Sequence, residues 1–410
     1  MIMRVLALLL PLFLLGCGST ISKRDVQSLT NRPDNFTISE EEQSLIARSN
    51  KLHHDLVQQG LIVRNKKAND YIAHMAKKIE PDFDAHIDIS YYILRDASLN
   101  AFALPNGNIY FNAGLINRLA SEDELALVMA HEIAHVVERH GLIKLIDRKQ
   151  TVVSSHVMDL MFMGTGLIYF ATLSELSSFS RKTEEEADEL AIEYLVNTDY
   201  DLSKSVDAFE KLVLEKHGKD LRSLWSSHPD ISARIKAGKE KIAQINWQSN
   251  TKTEHPDYEA FRSSLTELVI KSRLRNKQFE LAEDLVNREL ASQPNNALLY
   301  YYLGEANRLK ASETRAYAKE FAWLYDDDFD DKLVAKLDES DEEYIAKSKS
   351  YFEKAAELNR ALSLPYKGLG LLAVDQQNNQ AAKSYFQQYL SYGDIKDRRY
   401  INSLLNNLEG

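Results

Sequence analysis

This 410-residue chain contains one cysteine, Cys17, which rules out an internal disulfide framework and a thiolate metal site. It has only 8 prolines and 15 glycines, too few for a low-complexity or fibrous polypeptide. Its most apolar stretches, Val5–Leu15 and Leu160–Ser174, both fall short of the roughly 20 residues that a membrane-spanning helix requires. Positive charge is also in deficit. Against 61 Asp and Glu stand 50 Lys and Arg, a net charge of −11, which removes the electrostatic case for binding nucleic acid.

What the N-terminus does contain sets an expected location. Arg4 precedes Val5–Leu15, and the run ends in Leu14-Leu15-Gly16-Cys17, which resembles a bacterial lipoprotein cleavage box. On that reading residues 1–16 are a signal peptide and Cys17 is lipidated. Residues 17–40 form a tether, polar over Ser19–Asn35 with Pro33 within it. An ordinary secretory peptide with a chance cysteine is the alternative. Several acyl chains on one residue anchor firmly. Gly18, rather than Asp, points to the outer membrane, facing the periplasm. Loss of Arg4 with the leader takes the net charge from −11 to −12.

The strongest chemical signal is His131-Glu132-Ile133-Ala134-His135. On a helix, positions i and i+4 share a face, so both imidazoles can reach one metal ion. Glu132 then stands beside the open side of that ion, placed to act as general base. The bland alternative is an amphipathic helix with two incidental histidines. Ser121-Glu122-Asp123-Glu124 has the pattern of a capping box, so a helix should start at Ser121. The residues from Leu125 to Val137 are apolar around most of the circumference, as expected of a core helix. Gly141 is the expected stop.

A catalytic zinc takes a third protein ligand and leaves one position for water. In Ser180-Arg181-Lys182-Thr183-Glu184-Glu185-Glu186-Ala187-Asp188, a helix would put Glu184 and Asp188 one turn apart on one face. Glu184 is the candidate ligand. Asp188 is the candidate acceptor for the second N–H of a ligand His, the role that fixes tautomer and orientation. Taken alone, three consecutive glutamates read instead as a solvated surface helix.

Together, these motifs resemble the zinc peptidase family 48. It includes the HtpX heat-shock protease, the mitochondrial Oma protease, the CAAX prenyl proteases and a periplasmic beta-barrel assembly-enhancing protease. The likeness extends to Asn100-Ala101-Phe102-Ala103-Leu104-Pro105-Asn106-Gly107, to Ile109-Tyr110-Phe111-Asn112-Ala113-Gly114-Leu115, and to Ser227-His228-Pro229-Asp230 with Arg234-Ile235. It covers roughly residues 40 to 245. The resemblance implies a gluzincin-type zinc peptidase domain over 41–250 with one Zn2+ per chain. His131, His135 and Glu184 would be ligands, Glu132 the base and Asp188 the carboxylate behind a ligand. It also implies that His228 can occupy the water position and hold the enzyme latent; the alternative for His228 is an ordinary residue at a helix start. Relatives often carry Gly where Asn106 stands.

Upstream, Ile87, Ile89, Tyr91 and Ile93 alternate with Asp88, Ser90, Tyr92 and Leu94, which favours a strand. Asn100–Leu104 and Asn108–Asn112 should form a hairpin about Asn106-Gly107. Its edge could take up an extended substrate through backbone hydrogen bonds, a mode that discriminates weakly between sequences. In such a site the metal polarises the scissile carbonyl and Glu132 moves the proton from water to the leaving amine. His140 reads as a structural residue, with a role as oxyanion donor as the alternative. Uncharged Leu160–Ser174 reads as a buried or cleft-covering helical hairpin, or as a membrane-surface contact.

From about residue 258 to 410 the pattern changes to helices. Tyr300-x-x-Leu303-Gly304 and Tyr366-x-x-Leu369-Gly370 fit the first-helix signature of tetratricopeptide repeats; the glycines lie 370 − 304 = 66 apart, close to two periods of about 34. Ala382 with Phe386, and Ala282 with Pro294, fit other positions of such repeats. The acidic Asp326–Asp331 stretch leaves the middle degenerate. The expected fold is therefore mainly α with a small sheet: a peptidase domain, then a helical solenoid, with a generic helical bundle as the alternative to repeats.

Peptidase followed by repeats implies, by resemblance, a cell-envelope metalloendopeptidase acting on misfolded or stalled outer-membrane proteins. The barrel-assembly machinery would be its partner. Deleting the residues after about 255 should spare cleavage and abolish partner capture. The competing class is a lipoprotein chaperone or scaffold with a structural or latched zinc.

Overall fold

The computed structural model describes residues 26–30, 36–83, 87–150, 179–212, 215–216, 219–220, 231–245, 247, 255–393 and 395–408. Cys17, His228 and Leu160–Ser174 lie outside the described residues. Two helices, α1 (Glu40–Gln58) and α2 (Lys66–Ile79), precede β1 (Ser90–Leu94), β2 (Ala101–Ala103) and β3 (Asn108–Asn112). The short α3 (Ala113–Arg118) leads into α4 (Glu122–Val137), which is followed by α5 (His140–Gln150). Next come α6 (Arg181–Leu195), α7 (Leu202–Leu212), the strand pair β4 (Glu215–Lys216) and β5 (Lys219–Asp220), and α8 (Ile231–Gln244).

Every residue of α4 is buried, which its nearly unbroken apolar circumference requires. The Ser121 side chain caps it by accepting the Glu124 N–H, and three acidic residues occupy the positive end of the helix dipole. Glu124 reaches back one residue further than a capping box specifies, accepting the Ala120 N–H at 2.6 Å. Helices α2, α6 and α7 and strand β2 pack around α4, so any group on it is held from several sides.

The sheet runs in the order β1-β3-β2, with β1 parallel and β2 antiparallel to the central β3. Gly107 adopts φ +85° in the β2–β3 turn, and a side chain there would collide with the Asp88 carbonyl. Strand β1 begins at Ser90 rather than Ile87, and Ile93 and Leu94 are both buried. Its expected one-sided alternation therefore stops where β1 meets α2 on one face and a second apolar cluster on the other.

Two expectations need correction. Gly141 does not stop α4; it lies inside α5, and a Cβ there would come 2.8 Å from Pro105 Cγ. The chain breaks at Arg139, which takes left-handed φ +54° while its guanidinium pairs with Glu42 and covers the Phe36 ring at 4.8 Å. Nor is the described part of 17–40 a free tether. Leu29 is 1% exposed in the main core, and its N–H donates to the Val137 carbonyl at 2.8 Å, a group that the helix end leaves without a partner.

The C-terminal region holds α9 (Asp257–Arg275), α10 (Phe279–Ser292), α11 (Ala297–Ser312), α12 (Thr314–Tyr325), α13 (Asp331–Asp338), α14 (Asp341–Leu358), α15 (Leu364–Asp375), α16 (Asn379–Leu390) and α17 (Arg398–Asn407). Gly370 on α15 lets Phe386 of α16 sit against its backbone, and Gly304 on α11 does the same for Phe352 of α14. The partner is 16 residues away in the first case and 48 in the second, a difference of 32. The 66-residue glycine spacing is therefore not two like helix pairs in succession, because α12 and α13 lie between the paired helices α11 and α14.

Candidate metal centre

Helix α4 presents the His131 and His135 rings edge to face, centroids 4.5 Å apart, with their Nε2 atoms separated by 2.9 Å. Helix α6, capped by Ser180 at the Thr183 N–H, brings up the third donor. Glu184 Oε2 lies 3.5 Å from His131 Nε2, and Oε1 lies 3.5 Å from His135 Nε2. One donor atom from each of these three buried residues falls within 4.8 Å of the others. The acidic triplet is therefore not a uniformly solvated face, since Glu184 is 2% exposed. Two imidazole nitrogens and one carboxylate are the donor set of a catalytic zinc with a remaining open position.

The groups behind the donors are equally defined. Asp188 Oδ1 lies 2.9 Å from His131 Nδ1, the contact expected from its position one turn after Glu184. Arg234, from α8, donates to both Asp188 oxygens at 2.7 and 2.8 Å and stands 3.2 Å from Glu184 Oε2. Burial works to raise the Asp188 carboxyl, but Arg234 and His131 outweigh it and hold the group at about 2. Burial, with His131 beside it, lowers His135 to about 4, which favours the neutral ring that binding a metal requires. Glu132 is fully buried, and its charge acts on both His135 and Arg234.

Three further contacts were not legible in the motif. Phe179 stacks on the His135 ring at 4.0 Å with 15° between the planes. His140 Nδ1 lies 2.8 Å from His135 Nδ1, which places it behind a ligand rather than at the open side. Arg234 stood in the sequence only as part of the family likeness, which gave no hint of an ion pair with α6. The structure thus gathers His131, Glu132, His135, Glu184 and Asp188 at one place and adds Arg234, Phe179 and His140. It does not describe His228 or Cys17.

Residues 63–242 match peptidase family M48. The mitochondrial metalloendopeptidase OMA1 of Arabidopsis thaliana is 30% identical over 188 residues, 45% of this chain and 36% of that protein. The protein of the same name from Schizosaccharomyces pombe is 29% identical over 164 residues, 39% of this chain and 48% of the other. The beta-barrel assembly-enhancing protease of Escherichia coli is 26% identical over 168 residues, 38% of this chain and 34% of that one. The chain spans about half the length of these relatives, or less.

Proposed function

We propose, from the premise that this chain carries a peptidase family M48 domain over residues 63–242, that it is a zinc-dependent metalloendopeptidase. The observation that carries this reading is the buried Glu132 beside the three convergent donors His131, His135 and Glu184. A structural zinc site has no use for such a carboxylate. Zinc bound there supplies Lewis acidity to the scissile carbonyl and lowers the pKa of water. Glu132 accepts the proton of the attacking water and passes it to the departing amine nitrogen. Asp188 holds the hydrogen on His131 Nδ1, which leaves Nε2 as the donor, and Arg234 keeps Asp188 ionised.

Strand β2 is one of the two outer strands of the sheet and packs on α4, so an extended polypeptide added along it would pass beside the paired histidines. Backbone pairing suits unfolded chains of varied sequence. The substrates we propose are misfolded or stalled outer-membrane proteins, in keeping with the name of the Escherichia coli relative and with the lipoprotein-like box ending at Cys17. The location is then the periplasmic face of the outer membrane. The C-terminal helix pairs, read as tetratricopeptide repeats, would dock the barrel-assembly machinery.

The test compares wild type with Glu132→Gln, both lacking residues 1–17. Equal zinc content, with cleavage of an unfolded outer-membrane protein lowered about 10²–10⁴-fold in the variant, is the expected result. Equal zinc with no cleavage by either would favour the chaperone or scaffold instead.

A further inference from the structure

His140 follows His135 by five residues. On a continuous helix that spacing would turn it about 140° away from its neighbour's face. The left-handed residue Arg139 ends α4 and folds the chain back, so that the His140 ring meets His135 edge to face with centroids 4.9 Å apart. Both rings are buried, at 2% and 0% exposure, and their Nδ1 atoms are 2.8 Å apart. Phe179 stacks on a face of His135.

Only one assignment of hydrogens satisfies this geometry with a metal in place. His135 Nε2 faces His131 Nε2 and Glu184, so it is the donor atom and carries no hydrogen. The single hydrogen of the neutral ring is then on Nδ1, directed at His140 Nδ1, which must be bare. His140 in turn carries its hydrogen on Nε2, which is buried without a hydrogen-bond partner and lies 3.7 Å from Glu186 Oε2.

We propose that His140 is the positioning residue of the second metal ligand: its bare Nδ1 takes the His135 Nδ1–H and fixes that ring with Nε2 free for the metal. The two ligand histidines are thus backed differently, His131 by the carboxylate of Asp188 and His135 by a neutral imidazole. Glu186 completes the line from the metal outward, with a side chain 46% exposed. The inference rests on the zinc reading of His131, His135 and Glu184.

The test uses the full chain as wild type, His140→Leu and His140→Asn, with zinc affinity measured by competition against a chromogenic chelator and the absorption bands of the Co2+-loaded forms recorded. The Leu variant, which has no acceptor, should bind zinc about 10–100-fold more weakly with shifted Co2+ bands. The Asn variant, which restores an oxygen near the Nδ1 position, should recover most of both. Wild-type affinity and spectrum in the Leu variant, or equal losses in both variants, would overturn the role of His140. If the Leu variant fails to fold, long-range proton–nitrogen spectra of zinc-loaded wild type decide: a hydrogen on His140 Nε2 supports the proposal, and one on Nδ1 sinks it. A wild type that binds no zinc would sink the zinc reading itself, an outcome distinct from tight binding by every form.

Discussion

At Arg234 a guanidinium 4% exposed faces two buried carboxylates, Asp188 and Glu184, and both contacts draw on charge that the metal would also use. Removing it leaves those carboxylates uncompensated, a change that typically costs about 3–5 kcal/mol. Arg234→Met should therefore lower the melting temperature of the metal-free protein sharply. Zinc should raise it by more than in wild type, because the cation takes over part of the neutralisation. Equal zinc-induced rises in the two proteins would remove this account. At this scale the sequence was informative where side chains lie on one helix face. His131 with His135, and Glu184 with Asp188, are related by helical spacing. Arg234, Phe179 and His140 are not, since each reaches the centre from a different element or across a break at Arg139.

Helix α12, inserted between α11 and α14, is held by more than apolar packing. Tyr317 and Ala322 of α12 and Leu333 and Leu337 of α13 cluster on Phe279 at the start of α10. Glu320 accepts the Glu280 and Leu281 N–H groups at 2.9 and 3.1 Å, so the insertion caps α10. Burial pushes the Glu320 carboxyl up to about 7, despite those two hydrogen bonds. The folded protein then holds this proton more tightly than the unfolded chain. The stability that results is present in full below the usual value of 4.5 and is lost as pH rises through about 7. Thermal unfolding of wild type and Glu320→Gln across that range should show wild type losing up to about 3 kcal/mol relative to the variant. A constant difference would count against it. The cap of α4 was legible because it is local: Ser121 receives the N–H expected of it. The insertion was not, because a spacing of 66 looks like two periods until the partner of each glycine is known.

The peptidase region and the C-terminal helices share one apolar core. Tyr258, Phe261, Leu265 and Val269 of α9 belong to the same cluster as Leu115, Leu119 and Ile133. Tyr258 Oη donates to the Ile116 and Leu119 carbonyls, Arg262 and Arg288 donate to the Asn117 carbonyl, and the Asn117 side chain bonds Thr266 at 2.8 Å. All of these grip α3, the short link between the central strand and the helix of the paired histidines. Cutting the chain after residue 255 would expose four apolar side chains' worth of contact, each roughly 1.5–3 kcal/mol when buried. The truncated protein should melt well below the full chain, and its loss of cleavage would follow from instability. Unchanged melting would restore the expectation that the two parts separate cleanly. Substitutions on the far helices, α15 to α17, are the better test of partner capture.

Two helical spacings determined which side chains could share a face, His131 with His135 and Glu184 with Asp188, because a pair four residues apart needs only one helix to become a candidate metal site. The family likeness over roughly 40–245 rested on the same local motifs, and the match over 63–242 agrees with it. Tertiary structure alone decided that Arg234, Phe179 and His140 join the candidate site, that Leu29 is docked in the core, and that α12 and α13 stand between α11 and α14. It also decided that α9 and α3 share a core. Apart from His140, which the break at Arg139 returns to His135, such contacts join residues tens to more than a hundred positions apart. Their partners are chosen by packing and by the need to satisfy buried polar atoms, neither of which leaves a period in the sequence.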